Sequence, residues 1–300
     1  MTPPLLPGPV GIWTVALDAL PTGQAQEQVA ELDELGYDAL WYGEAYGREA
    51  FTAAALYLQA SRRMVVAPGI ASIYARDAMA TNGAARGLSA AYPDRFLLGL
   101  GVSHAPLVER MRGHSYGKPV TAMREYLDAM DRAPYLVAGP PDTPPRVLAA
   151  LGPRMLELSR DRAQGAHPYL VTPEHTAQAR AVLGEGPVLA VEQSVALTTD
   201  RETFLQRAHW HLEIYSGLPN YRNSWFRLGF DESDAVRGGS ERLKDALVVG
   251  GDEQAVVRRV REHLDAGASH VCLQLLGNSV GDVPAEDWRR LAPALADLRS

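Results

Sequence analysis

Proton and anion chemistry can be placed in this chain at the ends of short apolar runs. His104 follows Phe96-Leu97-Leu98-Gly99-Leu100 by way of Gly101-Val102-Ser103. An imidazole there can donate or accept a proton near neutral pH, or it is a loop histidine bonded to solvent or backbone. Glu44 follows Ala39-Leu40-Trp41-Tyr42; its carboxylate can orient a cofactor ring, act as a base, or cap a backbone N–H. Gly152-Pro153-Arg154-Met155 puts proline at the first position of a helix. The free N–H groups and dipole of such a helix end can hold a phosphate, and the same residues equally suit a strand-to-helix turn with no ligand.

Other candidates are weaker. Gly99-Leu100-Gly101 lacks the third glycine of a dinucleotide fingerprint, and its glycines lie within a strand end. His209-Trp210-His211 places two imidazoles on nearly opposite sides of a helix, which disfavours shared metal ligation. His114, His175 and His263 stand among polar residues and read as surface positions. No His-Glu-x-x-His, P-loop or nucleophile-elbow motif is present, and no metal is expected.

Such residues need elements that gather strand ends. Strands are expected at 10–13, 39–42, 64–67, 96–100, 146–150, 166–171, 188–197 and 271–275, each a short, mostly unbroken apolar run. Helices are expected between them. Ala25, Val29, Leu32 and Leu35 make one apolar stripe, closed by Gly36. Phe51, Ala54, Ala55 and Leu58 make another, as do Val120, Met123, Leu127 and Met130. Asp77, Asp200 and Asp252 read as helix N-caps, Pro153 and Pro173 as first helical residues, and Gly267 as a stop. An amphipathic helix ends the chain.

Eight strands alternating with helices give the α/β class, a (β/α)8 TIM barrel. The stretches 103–119 and 214–249 break the alternation and read as loop insertions, the second partly helical, in a single domain over 1–300. In such barrels chemistry sits at the C-terminal strand ends. These are Glu44, Gly69 to Arg76, Val102 to His104, Gly152-Pro153, His167 with Tyr169, and Glu192-Gln193. They carry few charges, which suits a cofactor with a large planar ring better than a polar hydrolytic site.

The 300 residues hold 36 acidic and 29 basic side chains, a net charge of −7, with 46% hydrophobic residues. That balance argues against a nucleic-acid binder, which presents a concentrated basic face. Cys272 is the single cysteine, so no intrachain disulfide or cysteine metal cluster is expected. MTPPLLPGPV lacks a basic n-region, and no apolar run approaches a membrane span. A soluble, cytoplasmic protein is expected.

Four segments resemble the luciferase-like monooxygenase superfamily, and within it the deazaflavin (coenzyme F420) oxidoreductases. They are Gly36-Tyr37-Asp38-Ala39-Leu40-Trp41-Tyr42-Gly43-Glu44, Gly69-Ile70-Ala71-Ser72-Ile73-Tyr74-Ala75-Arg76-Asp77, Arg95-Phe96-Leu97-Leu98-Gly99-Leu100-Gly101-Val102-Ser103-His104 and Gly152-Pro153-Arg154-Met155-Leu156-Glu157-Leu158. Gly250-Gly251-Asp252 and Ala266-Gly267-Ala268 fall where the family has its last helix and strand. The resemblance spans nearly the whole chain and is silent on substrate.

The resemblance implies the same barrel fold, with a non-prolyl cis peptide at Gly69–Ile70 behind the coenzyme ring and Ala71 beside it. It implies a phosphate site at Gly152 and Pro153, an acidic coenzyme contact at Glu44 and backbone contacts at Val102 and Ser103. Several deazaflavin enzymes carry a histidine acid directly after that acidic residue, whereas this chain has Ala45. His104, where relatives can have a glutamate base, is therefore assigned the acid/base role, and Glu44 is expected as the second catalytic residue. Tyr74, His167, Tyr169 and Tyr221 are expected substrate-pocket residues. The expected activity is hydride transfer between deazaflavin C5 and a small organic substrate, in a homodimer. An FMN-dependent monooxygenase on the same scaffold and a non-catalytic flavin- or deazaflavin-binding protein are the alternatives. A barrel lyase or isomerase would need a lysine or metal centre at the strand ends, and none is seen.

Overall fold

The apolar runs form parallel strands, each covered on its outer face by a helix. The structure, a computed structural model, describes residues 7–138, 143–279 and 281–298. The first six residues of the MTPPLLPGPV stretch lie outside the described residues. The chain runs β1 (Val10–Trp13), α1 (Thr22–Glu34), β2 (Ala39–Tyr42), α2 (Ala50–Ala60), β3 (Val65–Pro68), β4 (Ala71–Ser72) and α3 (Ala78–Ala91). It continues through β5 (Leu98–Gly101), α4 (Pro119–Arg132), β6 (Arg146–Leu148), α5 (Pro153–Arg162), β7 (Gly165–Ala166), α6 (Pro173–Leu183) and β8 (Val188–Ala196). Then come α7 (Arg201–Ser216), α8 (Pro219–Arg227), α9 (Glu241–Leu247), β9 (Val248–Gly250), α10 (Glu253–Asp265), β10 (His270–Leu275) and α11 (Ala285–Ala294).

The sheet order is β3-β2-β1-β10-β8-β7-β6-β5-β4, with all pairings parallel and β9 added beside β8. β3 pairs with β2, β4 pairs with β5, and Val66 bridges Phe96, so β3 and β4 are successive halves of one barrel position. The sheet thereby closes as a (β/α)8 barrel. Local signals set the helix ends: Asp77, Thr172, Asp200 and Asp252 each accept a first-turn backbone N–H. Gly36 and Gly267 stop α1 and α10 at φ of 82° and 99°.

Two expectations are corrected. The strand expected over 166–171 is paired only at Gly165–Ala166. Pro168 has no N–H to donate, and Leu170 turns into the left-handed region at φ 54°. His175 and His263 are buried rather than at the surface. Their sequence neighbours are polar, but they sit on the inward stripes of α6 (175, 176, 179, 183) and α10 (256, 257, 260, 263). His263 is held by Thr176 at 2.8 Å and Gln193 at 3.0 Å.

Alternation along the strands separates two cores. Ile12, Leu40, Val66, Leu98, Leu189 and Leu273 pack outward against the helices. Trp13, Trp41, Ala67, Leu97, Val147, Ala190 and Cys272 fill the barrel itself. Trp41 donates to His270 at 3.0 Å and stacks on His167 at 4.3 Å. A Cβ on Gly99 would lie 2.0 Å from the Pro68 carbonyl oxygen, a backbone atom that cannot swing aside. Gly99→Ala is therefore expected to cost about 1–3 kcal/mol as overpacking, read as a lower urea midpoint at unchanged slope.

Candidate active site

The floor of the barrel mouth is the junction of β3 and β4. The Gly69–Ile70 peptide bond is cis, at the position the resemblance assigns. The Gly69 carbonyl accepts from Trp13 Nε1 at 3.1 Å. A Cβ on Gly69 would meet Trp13 Nε1 at 2.6 Å and His167 Nε2 at 2.9 Å, so only glycine fits. Gly101 serves the same purpose under Ile70, because a Cβ on Gly101 would lie 2.5 Å from Ile70 Cγ1. His167 Nδ1 donates to the Ala190 carbonyl at 2.9 Å, and burial pulls its pKa down to about 4, so the ring is neutral.

Glu44 closes one side of this junction. Its carboxylate accepts from Ala50 N at 3.1 Å and Ser72 N at 2.8 Å, and it pairs with Arg76. Arg76 also reaches Glu49 at 2.8 Å and lies over the Phe51 ring. Both Glu44 oxygens are thus engaged in tying α2, β4 and Arg76 together.

An aromatic wall stands on another side. Tyr169 donates to Gln274 at 2.6 Å and shares a 3.0 Å hydrogen bond with Tyr215. Tyr221 packs on Tyr215, Tyr169 and Trp225, with ring centroids 4.9, 6.2 and 6.1 Å away. His104 sits 5.7 Å from Tyr221, ring to ring, and burial lowers its pKa below the ordinary 6.5. Beneath the wall, Glu192 accepts from Leu170 N at 2.8 Å and from Ser194 Oγ at 2.7 Å, and Ser194 Oγ lies 3.0 Å from His211 Nε2.

The 103–119 segment, with a π-helical turn at Pro106–Met111, folds back onto the residues that follow β4 and β5. Tyr116 donates to the Ser103 carbonyl at 3.2 Å, Tyr74 accepts from Gly117 N at 3.1 Å, and the two tyrosine rings are 5.7 Å apart. At the start of α5, Gly152 is the N-cap and offers no side-chain cap. Arg227 of α8 donates to the Leu151 carbonyl at 3.0 Å and stands 3.7 Å from a Cβ position on Gly152. An uncapped helix end beside a guanidinium fits a phosphate. No group of three or more His, Cys, Asp or Glu able to hold a metal occurs among the described residues.

His104, Tyr169 and Tyr221 are thus brought together, and Gly69, Ile70 and His167 meet at the floor. Tyr74 instead joins Tyr116, while Val102 packs on the outer core. Trp13, Arg76, Glu192, Ser194, His211, Tyr215, Arg227 and Gln274 complete the surroundings; of these, the strand-end rule pointed to Arg76 and Glu192.

The luciferase-like monooxygenase family model matches residues 11–270. This chain belongs to the luciferase-like monooxygenase family. A Mycobacterium tuberculosis protein, provisionally named a coenzyme F420-dependent oxidoreductase, is 31% identical to this family member over 136 residues. The match covers 44% of this chain and 38% of that protein. An F420-dependent secondary alcohol dehydrogenase, solved with an F420-acetone adduct, superposes at a TM-score of 0.76 and 13% identity, over 98% of this chain and 99% of that one. The oxygenating constituent of 3,6-diketocamphane monooxygenase from Pseudomonas putida, solved with FMN, gives a TM-score of 0.70 and 15% identity over 97% of both chains. At these identities, the two solved structures are likenesses of fold alone.

Proposed function

We propose that this chain is an oxidoreductase that uses the deazaflavin coenzyme F420 and transfers a hydride between it and a small organic substrate. What carries the assignment is the bare N-terminus of α5 with Arg227 beside it, a phosphate cradle opening on a mouth with few charges. The name of the Mycobacterium tuberculosis relative favours the deazaflavin over FMN. When bound, the coenzyme would supply the two-electron chemistry of its ring.

The chain's own residues bind, orient and exclude water. Gly152 and Pro153 with Arg227 hold the phosphate. Gly69, Ile70 and Ala71 back the ring, and Val102 and Ser103 offer backbone groups. Glu44 fixes Ser72 and Arg76 around that face. His104 holds or takes a proton at its ring nitrogen, while Tyr74, Tyr169 and Tyr221 wall the substrate space. A homodimer in the cytoplasm is part of the same proposal.

Equilibrium binding and thermal shift with F420, FMN and FAD in parallel test it, since a ligand of the native state raises the melting temperature. F420 is expected to bind tightest. Tighter FMN binding would favour the flavin-dependent monooxygenase reading that the Pseudomonas putida likeness supports, and oxygen consumption with reduced flavin would then follow. Arg227→Ala is expected to weaken coenzyme binding by about tenfold, the worth of one charge-assisted hydrogen bond. Unchanged affinity would remove Arg227 from the phosphate site.

A further inference from the structure

We propose that Glu192, Ser194 and His211 form a buried proton store beside the mouth, loaded and emptied through the imidazole of His211. The proposal deepens the oxidoreductase reading and rests on it only for its use: each hydride delivered to a polar double bond, or removed from an alcohol, must be matched by one proton.

The three side chains form one chain of hydrogen bonds. Glu192 and Ser194 point into the barrel from alternate positions of β8, and both are fully buried. Ser194 Oγ is 2.7 Å from Glu192 Oε1 and 3.0 Å from His211 Nε2. The other carboxyl oxygen takes Leu170 N at 2.8 Å. An ionised carboxylate only accepts. Ser194 must then give its proton to Glu192, and its lone pair takes the Nε2–H of a neutral His211.

A second arrangement of the same atoms holds one more proton. A proton arriving at His211 Nδ1 lets Nε2–H pass to Ser194 Oγ, and the serine proton passes to Glu192 Oε1. Glu192 becomes a neutral acid donating to Ser194, Ser194 donates to Nε2, and His211 is again neutral with its proton on Nδ1. One proton is taken up, each O–H or N–H bond broken is matched by one formed, and no charge is left on the imidazole.

The surroundings favour this exchange. Glu192 is faced by His211 and Tyr215 of α7, Tyr221 of α8, Tyr169, and Cys272, its register partner on β10. All are neutral near pH 7, and none is a cation. Burial, opposed by the Leu170 and Ser194 hydrogen bonds, pushes the Glu192 carboxyl up to about 7, and burial holds His211 down to about 4. A glutamine could accept from Leu170 N without the desolvation cost of a charge, so an acid here supplies what an amide cannot. His211 opens on the wall: its ring is 5.3 Å from Tyr215 and 6.3 Å from Tyr169.

The experiment is nitrogen NMR of His211 with infrared detection of the Glu192 carboxyl, titrated through neutral pH on the protein without coenzyme. His211 is expected to stay neutral while its proton moves from Nδ1 to Nε2 as pH rises, with the midpoint at which the carboxyl ionises. Glu192→Gln and Ser194→Ala should each abolish that tautomer change, with folding checked by near-ultraviolet circular dichroism. A fixed tautomer in the wild type, or one that still switches in Ser194→Ala, would overturn the proposal. These signals need no coenzyme, so failure of F420 to bind would sink the functional reading and leave the store standing. With turnover in hand, Glu192→Gln should flatten the near-neutral inflection of the pH profile.

Discussion

Alanine in place of His104 is expected to slow the proposed hydride transfer by about two to four orders of magnitude, the usual worth of a positioned acid or base. The fold should survive. The ring is half-buried, packs on Tyr221, and makes no hydrogen bond to another described residue. Its pKa is lowered from 6.5 by burial, so the neutral, proton-accepting form persists to lower pH than in a free imidazole. In the direction that uses His104 as base, the wild-type rate should fall as pH drops through that lowered pKa; in the direction that uses it as acid, the rate should rise there. Single-turnover rates of wild type, His104→Ala and His104→Gln across that range make the test. An unchanged rate and an unchanged profile would remove His104 from the mechanism.

Glu44→Ala is expected to destabilise the protein by about 3–5 kcal/mol, the cost of breaking a buried ion pair by removing one partner. The Glu44 side chain is 5% exposed and that of Arg76 13%. Truncation leaves the Arg76 guanidinium without its most buried partner and also strips acceptors from Ala50 N and Ser72 N. Glu49, 44% exposed, can compensate only in part. Glu44→Gln keeps one acceptor and should lose less. Urea unfolding measures both. A loss under about 1 kcal/mol, the range of an exposed pair, would show that Arg76 finds water or Glu49 at no penalty. Because Ser72 ends the β3–β4 junction, weaker coenzyme binding should accompany the loss of stability.

Glu44 shows where sequence reasoning stopped. A carboxylate at a strand end could orient a ring, act as base or cap an N–H, and only the folded chain shows that it caps both Ala50 and Ser72 and pairs with Arg76. Gly152 went further, because a helix start with proline at its first position is a local signal; the guanidinium beside it comes from Arg227, 76 residues from its hydrogen-bond partner Leu151. His211 was legible only as a poor metal ligand. Its partner Ser194 lies 17 residues away on another element, and no periodicity links a strand residue to a helix residue.

By itself, the order of residues determined the alternation of strands and helices, the caps at Asp77, Asp200 and Asp252, the stops at Gly36 and Gly267, and hence a barrel. These are set by neighbours within a few positions, through backbone geometry and the burial of one face. Tertiary structure alone decided which side chains face one another: Tyr169 with Gln274, 105 residues on, Trp13 with Gly69, and the Glu192–Ser194–His211 chain. Those contacts depend on barrel closure and strand register, which bring distant residues within a few ångströms and exclude the water that would otherwise satisfy them.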